Sequence, residues 1–330
     1  MMVEYTKPWL SVDAQTDKLV SRGIEIGDRT EATKLLRAVG YYRLTGYLYP
    51  FRRSERYESD DGRSRVRVLN EYLPGTSLAH AAKLIDFDRA LRMLVMDGVE
   101  RIEVSLRMEI GYVLGEGSPF AHRDADTFVS SFTELYEDPE TGEETSKHRE
   151  WLRRVDSRLG GSDETFVAHF REKYDGQMPI WALTEVLELG HLGRLYGGLS
   201  NSRATKIAHA YAVPSKRVMA SWIASLNYVR NVAAHHARLF NRKLVVAPSR
   251  PGVGVVPLLD HLRDEESSKA VYGLYNALAV TAYLLRSIDA KSGWPRRLVT
   301  LLDTFPAAKN FSVDALGVHP RWSEMDLWRE

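Results

Sequence analysis

The 330-residue chain contains no cysteine. Disulfides, thiolate-bound zinc and a thiol nucleophile are excluded at once. No stretch approaches the roughly 18 apolar residues of a membrane-spanning helix, and the opening MMVEYTKPWLSVD lacks an apolar leader core. The expectation is a cytoplasmic protein that does not enter a membrane. Glycine-rich phosphate loops are missing too, because GEGSPFAH and YGGLSNS follow no strand-like run. No nucleophile elbow marks a serine hydrolase. Hydrophobic residues make up 44% and charged residues 27%, so the chain can bury a core.

A further absence is local. Between Leu189 and Leu259 there is no aspartate or glutamate, yet ten lysines and arginines occur. The remainder of the chain then holds 35 basic and 44 acidic residues, a polarity that the net charge of +1 conceals. Phosphate backbones select such acid-free, cation-rich stretches. The alternative is a solvated face balanced by acids from elsewhere in the fold.

What is present is mostly helical punctuation. LSVDAQTDKLVSRG offers Ser11 as an N-cap and Gly23 as a stop. GDRTEATKLLRAVG repeats the scheme, with Asp28 as cap, Ala32, Leu35, Leu36 and Val39 as apolar stripe, and Gly40 at its end. YYRLTGYLYPF, closed by Pro50, is tyrosine-rich; its tyrosines, with Arg43 and Arg52, suit base stacking or helix packing equally. Residues 53–76 read as charged and irregular, with a turn at SDDG and a short edge strand at RVRVL. A long helix is predicted over 78–114, where Ile85, Leu91, Val95, Ile102, Leu106, Ile110 and Val113 keep close to a 3.6-residue period. Residues 137–145 form an acidic loop. Further helices are predicted near 147–159, 163–173, 180–197, 203–212, 215–240 and 264–288. VVAPSRPGVGVVP interrupts them as a hairpin or β-like loop. The fold class is all-α, with a helical N-terminal region over 1–76, a helical domain over 77–290 and a C-terminal extension over 291–330.

The segment YVRNVAAHHARLFNR, residues 228–242, carries the chemistry. On a helical wheel Trp222, Leu226, Val229, Ala233, His236 and Phe240 share one side, flanked by Val232 and Leu239. Asn227, Arg230, Asn231, His235, Arg238, Asn241 and Arg242 fill the opposite arc, an Asn/Arg/His face without the mixed charges of an ordinary solvated face. This spacing assigns His236 to the core and His235 to the polar face. An imidazole titrates near pH 6.5 and serves as acid or base. A guanidinium stays charged and forks onto phosphoryl oxygens. Together with an orienting asparagine, these groups suit RNA, whose 2′-hydroxyl supplies a nucleophile that DNA lacks. Glu188-x-x-His191 has the spacing of half a di-iron site, but no second copy accompanies it, so no metal or cofactor is expected. Glu100, Glu103 and Arg107 on the long helix read most simply as a surface charge set.

RNVAAH, residues 230–235, resembles the R-x4-H motif of HEPN-domain ribonucleases, in which asparagine commonly follows the arginine. The wider string SWIASLNYVRNVAAHHARLFNRKL resembles the signature of bacterial abortive-infection (Abi-like) proteins. So do KPWLSVDAQTDKLVSRGIEIGDRTEATKLLRAVGYYRLTGYLYPFR, VERIEVSLRMEIGYVLG and PIWALTEVLELGHLGRLYGGL. The likeness covers roughly residues 7–245, and type VI CRISPR effectors carry a more distant version of the motif. Ala234 stands where the family string often has cysteine, a position without a chemical role. The resemblance implies an all-helical HEPN-like bundle and metal-independent RNA cleavage, or RNA binding alone, in phage defence. It implies a homodimer and, in some relatives, a small structured RNA as antitoxin. Carried onto this chain, Arg230 and His235 are the catalytic pair and Asn231 positions them. Asn227, Arg238, Asn241, Arg242 and Lys243 contact RNA, while His236, Glu103 and Arg107 lie behind them in support.

Overall fold

Side-chain caps open the first helices at the residues that the sequence marks. In the computed structural model, which describes residues 4–263, 272–309, 311–318 and 320–329, Ser11 Oγ accepts from the Ala14 N–H at 3.2 Å and starts α1 (Val12–Ser21). The Asp28 carboxylate accepts from the Glu31 N–H at 2.9 Å and starts α2 (Arg29–Val39). Gly40, with φ 85°, ends that helix and leads into α3 (Tyr41–Leu48). Pro50 then tightens the chain into a 3-10 turn over Tyr49–Phe51.

The charged stretch is a hairpin: the strand read at RVRVL lies within its second strand, the turn read at SDDG joins the two, and the first strand is the part that the sequence reading leaves irregular. β1 (Arg52–Glu58) pairs antiparallel with β2 (Ser64–Tyr72), and Gly62, with φ 73°, closes the turn between them. Both faces of the ribbon are wet, and the valines that alternate with arginine in RVRVL stay exposed, Val66 at 61% and Val68 at 40%. Cross-strand charges support it: Glu55 lies opposite Arg67 and pairs with it, and Arg53 meets Glu71 at 2.7 Å.

α4 (Leu78–Gly115) runs as predicted, with Leu91, Val95, Ile102, Leu106, Ile110 and Val113 buried. After α5 (Ser130–Thr133), the acidic loop closes on a two-residue ladder between β3 (Tyr136–Glu137) and β4 (Glu144–Thr145). Ser146 caps α6 (Lys147–Gly160) by accepting from the Arg149 N–H at 3.1 Å, and α7 (Thr165–Lys173) follows. The helix predicted over 180–197 is broken into α8 (Ile180–Leu183), a 3-10 turn at Thr184–Val186 and α9 (Leu189–Gly198). α10 (Asn201–Ala210), α11 (Lys216–Ala234), α12 (Leu274–Ile288) and α13 (Trp294–Asp303) complete the series. The predicted start of the 264–288 helix lies outside the described residues. VVAPSRPGVGVVP forms no strand; its final proline opens a 3-10 turn at Pro257–Arg263. The fold is mostly helical, with two small two-stranded sheets among the described residues.

The chain divides into two compact units, Met1–Ala90 with Thr304–Ser312 and Leu91–Asp303 with Val313–Glu330. Aromatic residues near the C-terminus pack into each unit. In the first, Phe305 lies edge-on to Phe87 with centroids 5.0 Å apart, and Phe311 meets Phe51 at 4.9 Å. In the second, Trp328 Nε1 donates to Tyr275 Oη at 2.9 Å, beside the edge of Trp322.

One buried group of the second unit makes stability depend on pH. His122 is 1% exposed, its Nδ1 has no hydrogen-bond partner among the described residues, and burial pushes its pKa down to about 4. Unfolded, the imidazole titrates near 6.5, so between these values the unfolded chain binds a proton that the folded chain refuses. Stability therefore falls as pH drops through that window, by about 3 kcal/mol when complete. Urea titrations near pH 7 and near pH 4 are expected to differ by this amount, and His122→Leu should remove most of the difference. An unaltered difference in that variant would assign the acid sensitivity elsewhere.

Candidate functional site

Ser215 Oγ caps α11 by accepting from the Val218 N–H at 3.3 Å, and Trp222, Leu226, Val229, Val232 and Ala233 line its buried side as the wheel requires. Its neighbour is α9. A Cβ on Gly193 would stand 2.9 Å from Ile223, and one on Gly190 would stand 3.5 Å from the Asn227 amide. Only glycine at 193 leaves room for that approach without displacing Ile223. These two contacts run antiparallel, so the start of α9 lies toward the end of α11 that carries Arg230 and Asn231.

The helix stops at Ala234, six residues before its predicted end. His235 N–H donates to the Asn231 carbonyl at 3.0 Å, His236 N–H to Ala233 at 3.1 Å, and Ala237 N–H to Val232 at 3.1 Å. His236 adopts φ 56°. This is the Schellman termination, with histidine in the left-handed position that glycine usually takes. Such a conformation costs a non-glycine residue about 1–2 kcal/mol. Beyond it, Leu239 and Phe240 are fully buried, and burying two such side chains contributes about 3–6 kcal/mol, enough to turn the chain back into the core.

Two expectations are corrected by this turn. Arg238, Asn241 and Arg242 do not extend a helical face; they lie on the returning segment, where Asn241 also has a left-handed φ of 52°. His236 is not a core histidine: it is exposed at the turn, as is His235 beside it. The left-handed backbone gives a direct test. His236→Gly is expected to be about 1 kcal/mol more stable than His236→Ala, since both lose the ring and only alanine retains the steric conflict. Equal denaturation midpoints would remove strain from the account of this turn.

The structure keeps Arg230, Asn231 and His235 on one helix end. Arg230 Nη1 donates to Asn231 Oδ1 at 3.1 Å, both residues are half-buried, and His235 is the C-cap. Arg242 Nε donates to the Arg238 carbonyl at 2.8 Å, the Arg238 guanidinium sits 5.7 Å from the Phe240 ring centre, and the Lys243 ammonium lies 4.7 Å from that of Tyr272.

Glu103 and Arg107 are more than a surface charge set. They pair at 2.6 Å, and Arg107 Nε donates to the Leu187 carbonyl at 3.0 Å. Arg158 donates to the preceding carbonyl, of Val186, and meets the Glu188 carboxylate at 2.8 Å. Two guanidinium groups thus satisfy carbonyls at the break between α8 and α9, where Leu187 and Glu188 are extended. Glu188 is held in this ion pair, and the half-buried His191 has its pKa lowered by burial. Among the described residues no three or more histidine, aspartate or glutamate side chains gather in a manner suited to a metal. Arg158 carries no sequence signal of this role, since its partners, the Val186 carbonyl and the Glu188 carboxylate, are distant in the chain.

The acid-free stretch is partly consumed by the fold. Lys206 pairs with Glu116, Lys216 donates to the Leu199 carbonyl, and Arg250 donates to the Leu262 carbonyl at 2.8 Å. Burial lowers the Lys216 pKa. The ten cations are therefore not a uniform surface, and the Arg230–Lys243 segment is the part that gathers asparagine and histidine with arginine.

A search among curated proteins and one among solved structures give no match. A family model described as Abi-like protein matches residues 34–241, more than half of the chain. That span takes in α4, the broken 180–198 segment and the helix end that bears Arg230, Asn231 and His235. The chain belongs to the Abi-like protein family.

Proposed function

We propose that this Abi-like protein is a metal-independent endoribonuclease acting in phage defence by abortive infection, with Arg230 and His235 as its catalytic pair. The observation that carries the reading is the end of α11, where an exposed histidine and an asparagine-bonded arginine lie five residues apart. His235 takes the proton from a ribose 2′-hydroxyl. The 2′-oxygen attacks the adjacent phosphorus, the bond to the 5′-oxygen breaks, and that oxygen leaves with a proton. Arg230 faces the negative charge that accumulates on the phosphoryl oxygens, where a fixed cation is most effective. Asn231 positions the guanidinium, and Asn227, Arg238, Asn241, Arg242 and Lys243 hold the flanking strand.

The reaction needs one group to remove a proton and another to supply one. A homodimer with two facing α11 ends provides a second imidazole, and two-fold contacts are the commonest oligomer symmetry. A small structured RNA bound across the same cations would hold the enzyme inactive. The second reading is an RNA-binding protein without catalysis, for which the arginine, asparagine and lysine side chains of residues 227–243 would suffice without the histidine. Scission of a labelled single-stranded RNA in excess EDTA separates the two. Cutting whose specific rate falls on dilution supports the dimeric nuclease, whereas tight binding with an intact strand supports the binding module.

A further inference from the structure

The first unit holds a groove that the catalytic reading leaves unused. It has a volume of about 800 Å³ and runs beside the segment that precedes α1 and the junction of α2 and α3. Tyr5, Trp9 and Tyr42 line it and are 74%, 86% and 78% exposed. Three large aromatic rings left this open, within one groove, are unusual for a surface with no partner. Tyr41 meets Tyr42 edge-on at 5.7 Å, which orients the Tyr42 ring in the groove.

The charge of the groove is one-sided. Lys7, Lys18 and Arg37 line it, and no aspartate or glutamate does. Two carboxylates on the flanking helices are engaged with other cations: Asp17 meets Arg29 at 2.7 Å, and Glu31 meets Lys34 at 2.7 Å. Flat rings interleaved with unopposed cations match a polyanion whose repeating units also carry flat rings.

We propose that this groove binds single-stranded RNA, with bases stacked on Trp9 and Tyr42 and phosphates held by Lys7, Lys18 and Arg37. The proposal goes beyond the Arg230–His235 reading and does not need it. A strand bound there would give the protein a sequence-tolerant grip on RNA in addition to any contact at the cleaving site, since stacking accepts every base.

The test uses the full chain carrying His235→Ala, so that the probe survives, and a fluorescein-labelled oligouridylate of about ten nucleotides. Trp9→Ala with Tyr42→Ala is expected to weaken binding about tenfold or more, because each stacked base contributes about 1–3 kcal/mol and about 1.4 kcal/mol is tenfold. Replacing Lys7, Lys18 and Arg37 with glutamine is expected to flatten the log–log dependence of affinity on salt by about 2, from three phosphate contacts. Ultraviolet crosslinking should place the probe on the peptide that contains Trp9. All five side chains lie at the surface, and unchanged far-ultraviolet dichroism confirms that the variants fold. Unaltered affinity and salt slope in both variants would overturn the proposal. So would loss of self-association with RNA binding intact, which would assign the groove to a second copy of the chain. Because binding is read without cleavage, failure of the nuclease reading and failure of the groove remain separate results.

Discussion

Replacing His235 with alanine is expected to lower RNA cleavage by about 10²- to 10⁴-fold, the usual contribution of a positioned acid or base. Arg230→Ala should cost about 10²- to 10³-fold, as when one fixed donor to a developing oxyanion is removed. Neither change should move the denaturation midpoint much. His235 is exposed at the C-cap, and its backbone N–H, which would be retained, makes the helical bond to Asn231. Arg230 makes its hydrogen bond to the adjacent Asn231 rather than to a distant element. Arg217, exposed in the first turn of the same helix, is the control for general loss of positive charge, and Arg217→Ala should retain most activity. A His235→Ala protein that cuts at more than about a tenth of the original rate is incompatible with a general acid–base role for this residue.

The largest loss of stability is expected at Trp222, the anchor beneath this site. The ring is fully buried, Nε1 donates to the Ser249 carbonyl at 2.8 Å, and Tyr283 of α12 meets it edge-on with centroids 5.6 Å apart. Ser221 Oγ accepts from the Ser249 N–H at 2.8 Å, so two consecutive residues of α11 hold one residue of the returning chain. Trp222→Ala should cost about 3–5 kcal/mol through the cavity, with the abandoned carbonyl adding about 1–3 kcal/mol. Trp222→Phe keeps an apolar ring and loses mainly the hydrogen bond, so it should cost less than half as much. Urea denaturation of the three proteins checks the order. A Trp222→Ala chain within about 1 kcal/mol of the original would mean that the segment around Ser249 is not fastened to α11 in this way.

Features that depend on neighbouring residues were legible in the sequence. Ser11 and Asp28 cap their helices, Gly40 ends α2, and the 3.6-residue period of α4 is buried where it points inward. The motif residues Arg230, Asn231 and His235 were legible as a group because they lie within six consecutive residues. Features decided by distant partners were not. Of the β1–β2 ribbon only RVRVL was legible as a strand; β1, RRSERYE, carries no apolar alternation, and its pairing rests on cross-strand partners such as Arg53 and Glu71. At the break between α8 and α9, Arg107 and Arg158 reach carbonyls 80 and 28 residues away. The end of α11 was misplaced because no glycine marks it. His236 takes the left-handed position, and the burial of Leu239 and Phe240, which local spacing alone assigned to a longer helix, compensates. That single turn exposes the histidine that periodicity had placed in the core.

The chemistry of the cut ends tests the central claim most directly. A single-stranded RNA incubated with the protein in excess EDTA, then analysed by mass spectrometry, should yield 2′,3′-cyclic phosphate and 5′-hydroxyl ends. The same strand bearing a 2′-deoxyribose at the cut position should stay whole there, because the nucleophile is missing. Ends with 5′-phosphate, or cleavage at the deoxyribose, would contradict attack by the 2′-oxygen and with it the roles given to Arg230 and His235.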